Sequence, residues 1–139
     1  DFKWYIVGQG SLYAKIQEEI KKRNLESYVI LLGVKKNPYP YIKKCNVYIQ
    51  PSRHEGYGIA IAEARILEKP IVATNLNCIQ EQITNNQNGI LCNFNAKEFC
   101  TKIEDLLSNK NLIEKIKENL KKENNSENND IAKLLEEQL

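Results

Sequence analysis

The chain has 139 residues, enough for one compact domain with its own core. It is 42% hydrophobic and 27% charged, as in ordinary globular proteins. Its net charge of +2 is too small, and its basic residues too dispersed, to predict a nucleic-acid partner. Its four cysteines form no C-x-x-C pair, and only one histidine is present, so no metal site is expected.

The sequence also contains no recognisable signal peptide or membrane-spanning segment. The start of the chain lacks the pattern of a signal peptide, and no apolar run is long enough to cross a membrane. The cysteines Cys45, Cys78, Cys92 and Cys100 are expected to be reduced thiols, which favours a cytoplasmic location. Because the chain opens almost directly into a strand-like run, we expect it to be part of a larger protein.

Strand-like and helix-like segments alternate along the chain. The predicted strands are short apolar runs at 4–7, 28–32, 47–50, 71–73 and 90–92. We expect the first of them to be buried. The predicted helices are 12–23 with Ser11 as its cap, 41–44, 57–67, 79–83, 96–107 and 112–120. This alternation predicts an α/β protein with a Rossmann-like open parallel sheet and helices on both faces.

The end of the chain has a different composition. Residues 121–130 are polar and rich in asparagine, which predicts a flexible linker, and residues 131–139 predict a last amphipathic helix. The domain is therefore expected to comprise residues 1–120, followed by a linker and C-terminal helix at 121–139.

The clearest chemical signal is in residues 51–64, at the end of a predicted strand and the start of a helix. Gly56 and Gly58 lack a Cβ, so the backbone can approach a ligand there. The helix that follows presents unpaired N–H groups and a positive dipole end, which favour a diphosphate. The carboxylates of Glu55 and Glu63 would repel phosphate but suit sugar hydroxyls. A nucleotide sugar, with a diphosphate between hydroxyl-rich sugars, fits this arrangement.

This segment resembles the Glu-x7-Glu motif of the retaining GT-B glycosyltransferases of group 1, or family 4, with Glu55 and Glu63 as the two glutamates. Other segments resemble that family in the same order: 6–10 its glycine loop, 29–33 its V-x-x-x-G strand, 69–74 its G-K-P-V-V-A-T strand and 88–91 its N-G-x-L turn. The resemblance covers roughly the first 110 residues. It implies one half of a GT-B fold, with residues 1–120 as a nucleotide-sugar-binding domain.

The resemblance also implies roles for the residues of the motif. Glu55 would be catalytic: it would contact the hydroxyls of the transferred sugar and stabilise positive charge at the anomeric carbon. The backbone N–H groups of Tyr57, Gly58 and Ile59 would bind the sugar and the diphosphate. Glu63 would bind the ribose hydroxyls.

Residues of the first segments would complete the donor site. By the same resemblance, Gly33 and Val34 would lie beside the base, and Gly8 and Gly10 would line the cleft. No cofactor or metal is implied; the donor would be a UDP- or GDP-sugar.

The resemblance implies an enzyme of which this chain is only part. It would transfer a sugar, with retention, to a hydroxyl of a saccharide, lipid-linked or other acceptor, as in polysaccharide biosynthesis. The acceptor would bind mainly to an N-terminal domain, which this chain lacks, and the isolated chain is expected to be inactive. The family's basic pair that neutralises the diphosphate would lie upstream, and the complete protein could associate peripherally with the inner face of the membrane.

The sequence departs from the family in two places. Leu67-Glu68 stands where Leu-Gly is usual at a helix end, and Asn77-Cys78 stands where Gly-Gly is frequent in a phosphate-side loop. The tyrosines Tyr39, Tyr41 and Tyr48 are expected to serve mainly in packing, and Arg53 is expected to be a surface residue.

Two other functions remain open from the sequence. The chain could be a non-catalytic nucleotide-binding or interaction module on the same fold, and an interaction module would be distinguished by its failure to bind a nucleoside diphosphate. A dehydrogenase-type dinucleotide domain is disfavoured because Tyr13 stands where the third glycine of that fingerprint would be.

Overall fold

The computed structural model describes residues 2–126 and 137, which form two compact units, one ending at Pro38 and the other beginning at Tyr39. The elements in chain order are β1 (Trp4–Val7), α1 (Tyr13–Lys22), β2 (Val29–Gly33), α2 (Tyr39–Lys44), β3 (Tyr48–Gln50), α3 (Ile59–Ile66), β4 (Ile71–Thr74), α4 (Asn77–Gln80), β5 (Ile90–Cys92), α5 (Ala96–Ser108) and α6 (Lys110–Ser126). Every strand pair is parallel: β1 with β2, and β4 with β3 and β5. The predicted α/β class with parallel β-α-β units is confirmed. No helix among the described residues has the length and apolarity needed to cross a membrane.

The first unit contains β1, α1 and β2. Two details predicted for it are wrong. β1 is not a buried strand: Trp4, Tyr5 and Val7 are 37%, 52% and 37% exposed, because β2 is the one strand that pairs with it among the described residues. Ser11 does not cap α1, since a turn in which the Tyr13 N–H donates to the Gly10 carbonyl (3.0 Å) precedes the helix.

The second unit is built around β4, whose four residues are all buried. Successive side chains of a strand point to opposite faces. Ile71 and Ala73 accordingly pack in a cluster that includes Ile61 and Ala64 of α3. Val72 packs in a second cluster, with side chains of β5, α5 and α6. The three-stranded sheet of this unit therefore has apolar cores on both faces.

The end of α3 uses a non-glycine residue in a left-handed conformation. Glu68, predicted to replace the usual glycine, has φ of 56°. Its N–H donates to the Arg65 carbonyl (2.9 Å), and the Lys69 N–H donates to the Ala64 carbonyl (2.9 Å). This pair of bonds is the Schellman arrangement, which satisfies the last carbonyls of a helix. The helix is thus closed with the usual geometry at the cost of a strained residue.

α6 extends beyond the predicted helix end at residue 120. Residues 121–126, predicted to begin a flexible linker, are helical. The Glu123 carboxylate pairs with Arg65 of α3 (3.0 Å), and the Asn124 amide donates to the Ile66 carbonyl (2.9 Å). The prediction is wrong for these six residues because the side chains of Glu123 and Asn124 bond to α3. The rest of the predicted linker and the last helix lie outside the described residues, apart from residue 137, and the boundary at 120 stays a prediction.

Candidate functional site

Glu55 lies in the loop between β3 and α3, where several polar groups hold it in place. Its Oε1 atom accepts hydrogen bonds from Gln50 Nε2 (2.7 Å) and from Ser52 Oγ (2.6 Å). Its backbone carbonyl accepts from the thiol of Cys78 (3.5 Å), the residue that departs from the family pattern. Charge-assisted bonds of this length are strong, so the carboxylate has a defined position.

The N-terminus of α3 begins beside this acid. Gly58, the N-cap residue, is buried and has φ of 80°. The Ile61 N–H donates to the Gly58 carbonyl (2.9 Å), so the amides of Ile59 and Ala60 precede the first intrahelical bond and are available to a ligand. A Cβ at Gly58 would lie 2.8 Å from Ile79 Cδ1, which only glycine avoids. The backbone at this terminus is therefore closely packed on its inner side.

The side chains on either side of Gly58 point away from the core. Tyr57 is 63% exposed and Ile59 is 68% exposed. Both belong to the predicted donor-binding set, in which their backbone N–H groups matter rather than their side chains.

A buried glutamine bonds to the loop that precedes α3. The side-chain amide of Gln82, which is 6% exposed, donates to the Tyr57 carbonyl, while its Oε1 is buried without a hydrogen-bond partner among the described residues. The backbone carbonyl of Gln82 accepts from Asn88 Nδ2 (3.2 Å), and Asn88 also donates to Glu123 (3.0 Å). Since Glu123 pairs with Arg65, one polar network contacts both ends of α3.

Glu63, the second acid of the motif, lies in α3 and is half-buried. The hydroxyl of Tyr39 in α2 donates to its Oε1 (3.1 Å), and burial, followed by the Glu63 charge, raises the pKa of Tyr39. Burial likewise raises the pKa of Tyr48 to about 12, with further contributions from Glu63 and Glu55. Both acids of the motif thus raise the pKa of Tyr48. Tyr39 and Tyr48 both stay protonated near neutral pH and can donate hydrogen bonds.

The predicted role of these tyrosines was incomplete. Tyr39 and Tyr48 were expected to serve mainly in packing, yet each is a hydrogen-bond donor linked to an acid of the motif. Sequence reasoning also missed Gln50 and Gln82, because no motif names a residue at either position. The polar residue at the end of the apolar strand Tyr48–Gln50 was the signal that could have singled out Gln50.

In the first unit, the structure brings Gly8 and Gly33 together at the ends of β1 and β2. The Gly8 N–H donates to the Gly33 carbonyl (2.8 Å), and their φ angles are 130° and 66°. Val34, which follows, is 69% exposed, and Gly10 precedes α1. These four predicted residues therefore lie at the carboxyl end of β2 (Gly33) and in the two loops that follow the strands (Gly8, Gly10 and Val34), as the open-sheet rule expects.

The sequence profile of the family described as glycosyl transferases group 1 matches residues 1–123. The chain belongs to this family.

Among the residues the structure describes, no group of three or more His, Cys, Asp or Glu side chains could hold a metal ion.

Individual relatives agree with the family. An uncharacterised glycosyltransferase of Methanocaldococcus jannaschii is 34% identical over 122 residues, which cover 86% of this chain and 34% of that protein. The poly(ribitol-phosphate) alpha-N-acetylglucosaminyltransferase of Staphylococcus aureus is 33% identical over 109 residues, covering 77% of this chain and 22% of that protein. This family member therefore spans about a third or less of the length of these curated relatives.

A solved structure shows the same fold with ligands. A variant of Staphylococcus aureus TarM, in complex with fondaparinux, alpha-GlcNAc-glycerol and UDP, matches with a TM-score of 0.82 and 30% identity. The match covers 98% of this chain and 28% of that protein. The fold class predicted from the sequence, one half of a GT-B glycosyltransferase, is confirmed.

Proposed function

We propose that this group 1 glycosyltransferase chain is the donor-binding, C-terminal half of an enzyme that transfers a sugar from a nucleoside diphosphate sugar to an acceptor hydroxyl with retention. The observation that carries the proposal is the N-terminus of α3, whose free amides lie between two ordered carboxylates, Glu55 and Glu63. Amides suit a diphosphate and carboxylates suit hydroxyls. UDP is the favoured nucleotide because the similar TarM structure contains it.

In this proposal each group acts on a different part of the donor. The amides at Gly58 and Ile59 stabilise the negative charge that grows on the diphosphate as it leaves, which is an electrostatic role. Glu63 binds the ribose hydroxyls. Glu55 binds the hydroxyls of the transferred sugar and stabilises positive charge at the anomeric carbon. No metal ion is needed, because the amides and basic residues outside this chain supply the positive charge.

The acceptor, a saccharide or another hydroxyl compound, binds mainly to a further domain of the complete enzyme. The share of the relatives' length that this chain spans supports that arrangement. A cytoplasmic location is part of the proposal, supported by the four cysteines, which are all free thiols.

Calorimetric titration of the 139-residue chain with UDP tests the donor role. Glu63→Gln is expected to weaken UDP binding about tenfold, because a neutral amide binds ribose hydroxyls less strongly than a carboxylate does. The control is Glu18→Gln, a change of the same charge at an exposed position of α1, which should leave the affinity unchanged. Absence of UDP and GDP binding by the wild-type chain would instead indicate a non-catalytic interaction module.

A second experiment tests whether sugar transfer needs the acceptor-binding domain in addition to this chain. The isolated chain is expected to show no transfer of glucose or N-acetylglucosamine from their UDP derivatives, because it lacks the acceptor-binding domain. Measurable turnover would show that the chain is a complete enzyme.

A further inference from the structure

The hydrogen bonds to Glu55 are unevenly divided between its two carboxylate oxygens. Gln50 and Ser52 both donate to Oε1, and no described residue donates to Oε2. A carboxylate oxygen that already accepts two short bonds has little capacity left, whereas the other oxygen has all of its lone pairs free. The arrangement fixes the carboxylate through one oxygen and leaves the second for a ligand.

The orientation of the Gln50 amide follows from its two neighbours. The Tyr48 hydroxyl donates to Gln50 Oε1 (2.9 Å), and Gln50 Nε2 donates to Glu55 (2.7 Å). In the opposite orientation, the amide oxygen would face the Glu55 carboxylate and be repelled. Tyr48 remains a donor over the working pH range because burial and the two acids raise its pKa to about 12. Tyr48 and Gln50 therefore form a chain of bonds with a single direction, ending on Glu55.

The backbone position of Gln50 explains why these side-chain hydrogen bonds are held in a fixed geometry. It is the last residue of β3 and pairs with Ala73 of the buried strand β4. Its side chain also donates to Ser52 Oγ (3.0 Å), so the two donors to Glu55 are bonded to each other. A site side chain placed by a strand and by a second layer of hydrogen bonds is more precisely held than one in a loop.

We propose that Gln50 is a positioning residue for Glu55: backed by Tyr48, it holds one carboxylate oxygen so that the other accepts the hydroxyls of the transferred sugar. The inference rests on the proposed function, from which it takes the role of Glu55. It assigns Gln50 to the recognition of the sugar and not to that of the nucleotide.

The test compares two isosteric changes by calorimetry with UDP, UDP-glucose and UDP-N-acetylglucosamine. Gln50→Met removes the amide, and Gln50→Glu replaces the donor with a repelling carboxylate. We expect the affinity for UDP to change less than twofold. The quantity of interest is the affinity for the tighter-binding UDP-sugar divided by the affinity for UDP. This ratio should fall about threefold in Gln50→Met and further in Gln50→Glu. Gln17→Met, at an exposed position of α1, is the matched control and should change neither affinity.

A double-mutant cycle separates positioning from a purely structural role. In the Glu55→Gln background, Gln50→Met should cause no further loss of sugar-dependent affinity, since the carboxylate it orients is gone. Additive losses, equal losses for UDP and for the UDP-sugar, or wild-type behaviour of Gln50→Met would each overturn the inference. Failure of the proposed function itself is recognised separately, because the wild-type chain would then bind none of the three ligands.

Discussion

The hydroxyl of Tyr39 donates a hydrogen bond of 3.1 Å to the carboxylate of Glu63, which lies 24 residues further along the chain. The acid that we assign to the ribose is therefore ordered before any nucleotide binds. Ordering a side chain in advance removes part of the entropic cost of binding. A carboxylate has about four acceptor positions, so one bond from Tyr39 leaves room for the ribose hydroxyls.

Tyr39→Phe is therefore predicted to weaken UDP binding by about threefold to tenfold, which corresponds to the loss of one net hydrogen bond. Calorimetry measures the effect, with Tyr5→Phe, an exposed tyrosine of β1, as the control. Tighter binding by Tyr39→Phe would mean that Tyr39 competes with the nucleotide for Glu63.

Gly58→Ala is predicted to destabilise the chain by about 3 kcal/mol, because the new Cβ meets Ile79 and the residue has a left-handed backbone. Gly56→Ala is the matched control, since a Cβ there meets nothing within 4 Å, and we expect it to cost less than about 1 kcal/mol. Urea denaturation measures both. Equal destabilisation by the two changes would show that the packing against Ile79 is not what requires glycine.

Glu68→Gly is predicted to stabilise the chain by about 1 kcal/mol, because it relieves the φ of 56° at the end of α3 while keeping the closing hydrogen bonds. Asn24, at φ of 53° after α1, gives a comparison. Asparagine tolerates this conformation better than glutamate does, so Asn24→Gly should gain less. Thermal unfolding of both variants checks the order, and a lower midpoint for Glu68→Gly would contradict it.

Glu123→Ala is predicted to destabilise the chain by about 1–3 kcal/mol. The change leaves Arg65, whose Nε is already buried without a partner among the described residues, without its ion pair, and it removes the acceptor of Asn88. Glu114→Ala on the same helix is the control: Glu114 pairs with Lys117 at the surface, and such pairs contribute little. Denaturant unfolding should show a clear loss for the first variant and almost none for the second.

Tyr48 makes stability depend on pH in the alkaline range. Its folded-state pKa of about 12 lies above the ordinary value of 10.0, so the folded chain retains a proton that the unfolded chain loses. The contribution of Tyr48 to the free energy of unfolding is fully present below pH 10. As the pH rises from 10 towards 12, the free energy of unfolding falls by about 2–3 kcal/mol through loss of this contribution. Tyr48→Phe should therefore lose stability less steeply than the wild type between these values, as measured by urea unfolding at several pH values. Parallel pH curves would contradict the prediction.

The sequence predicted those features that depend on local pattern. β5 and the turn at Asn88-Gly89 were placed correctly because an apolar run beside a turn signal is sufficient. Glu55 and Glu63 were singled out because they lie eight positions apart in a segment with characteristic glycines, and their roles stay predictions.

Contacts between distant segments could not be predicted in this way. The partner of Glu63 is 24 residues away, and the ion pair of Glu123 with Arg65 spans 58 residues. The polar composition of residues 121–126 favours an unstructured chain, and the bonds of Glu123 and Asn124 to distant segments oppose that preference. Predictions from local composition fail where tertiary contacts decide the structure.

The closely packed backbone at Gly58 has a consequence for how such a site can evolve. The groups that we propose to bind the diphosphate belong to the main chain, which Gly58 and Gln82 hold, while the neighbouring side chains of Tyr57 and Ile59 are largely exposed. Substitutions at these two positions can accumulate without unfolding the protein. A lineage can therefore vary these two outward-facing side chains, while the backbone that we propose to bind the diphosphate is inherited unchanged.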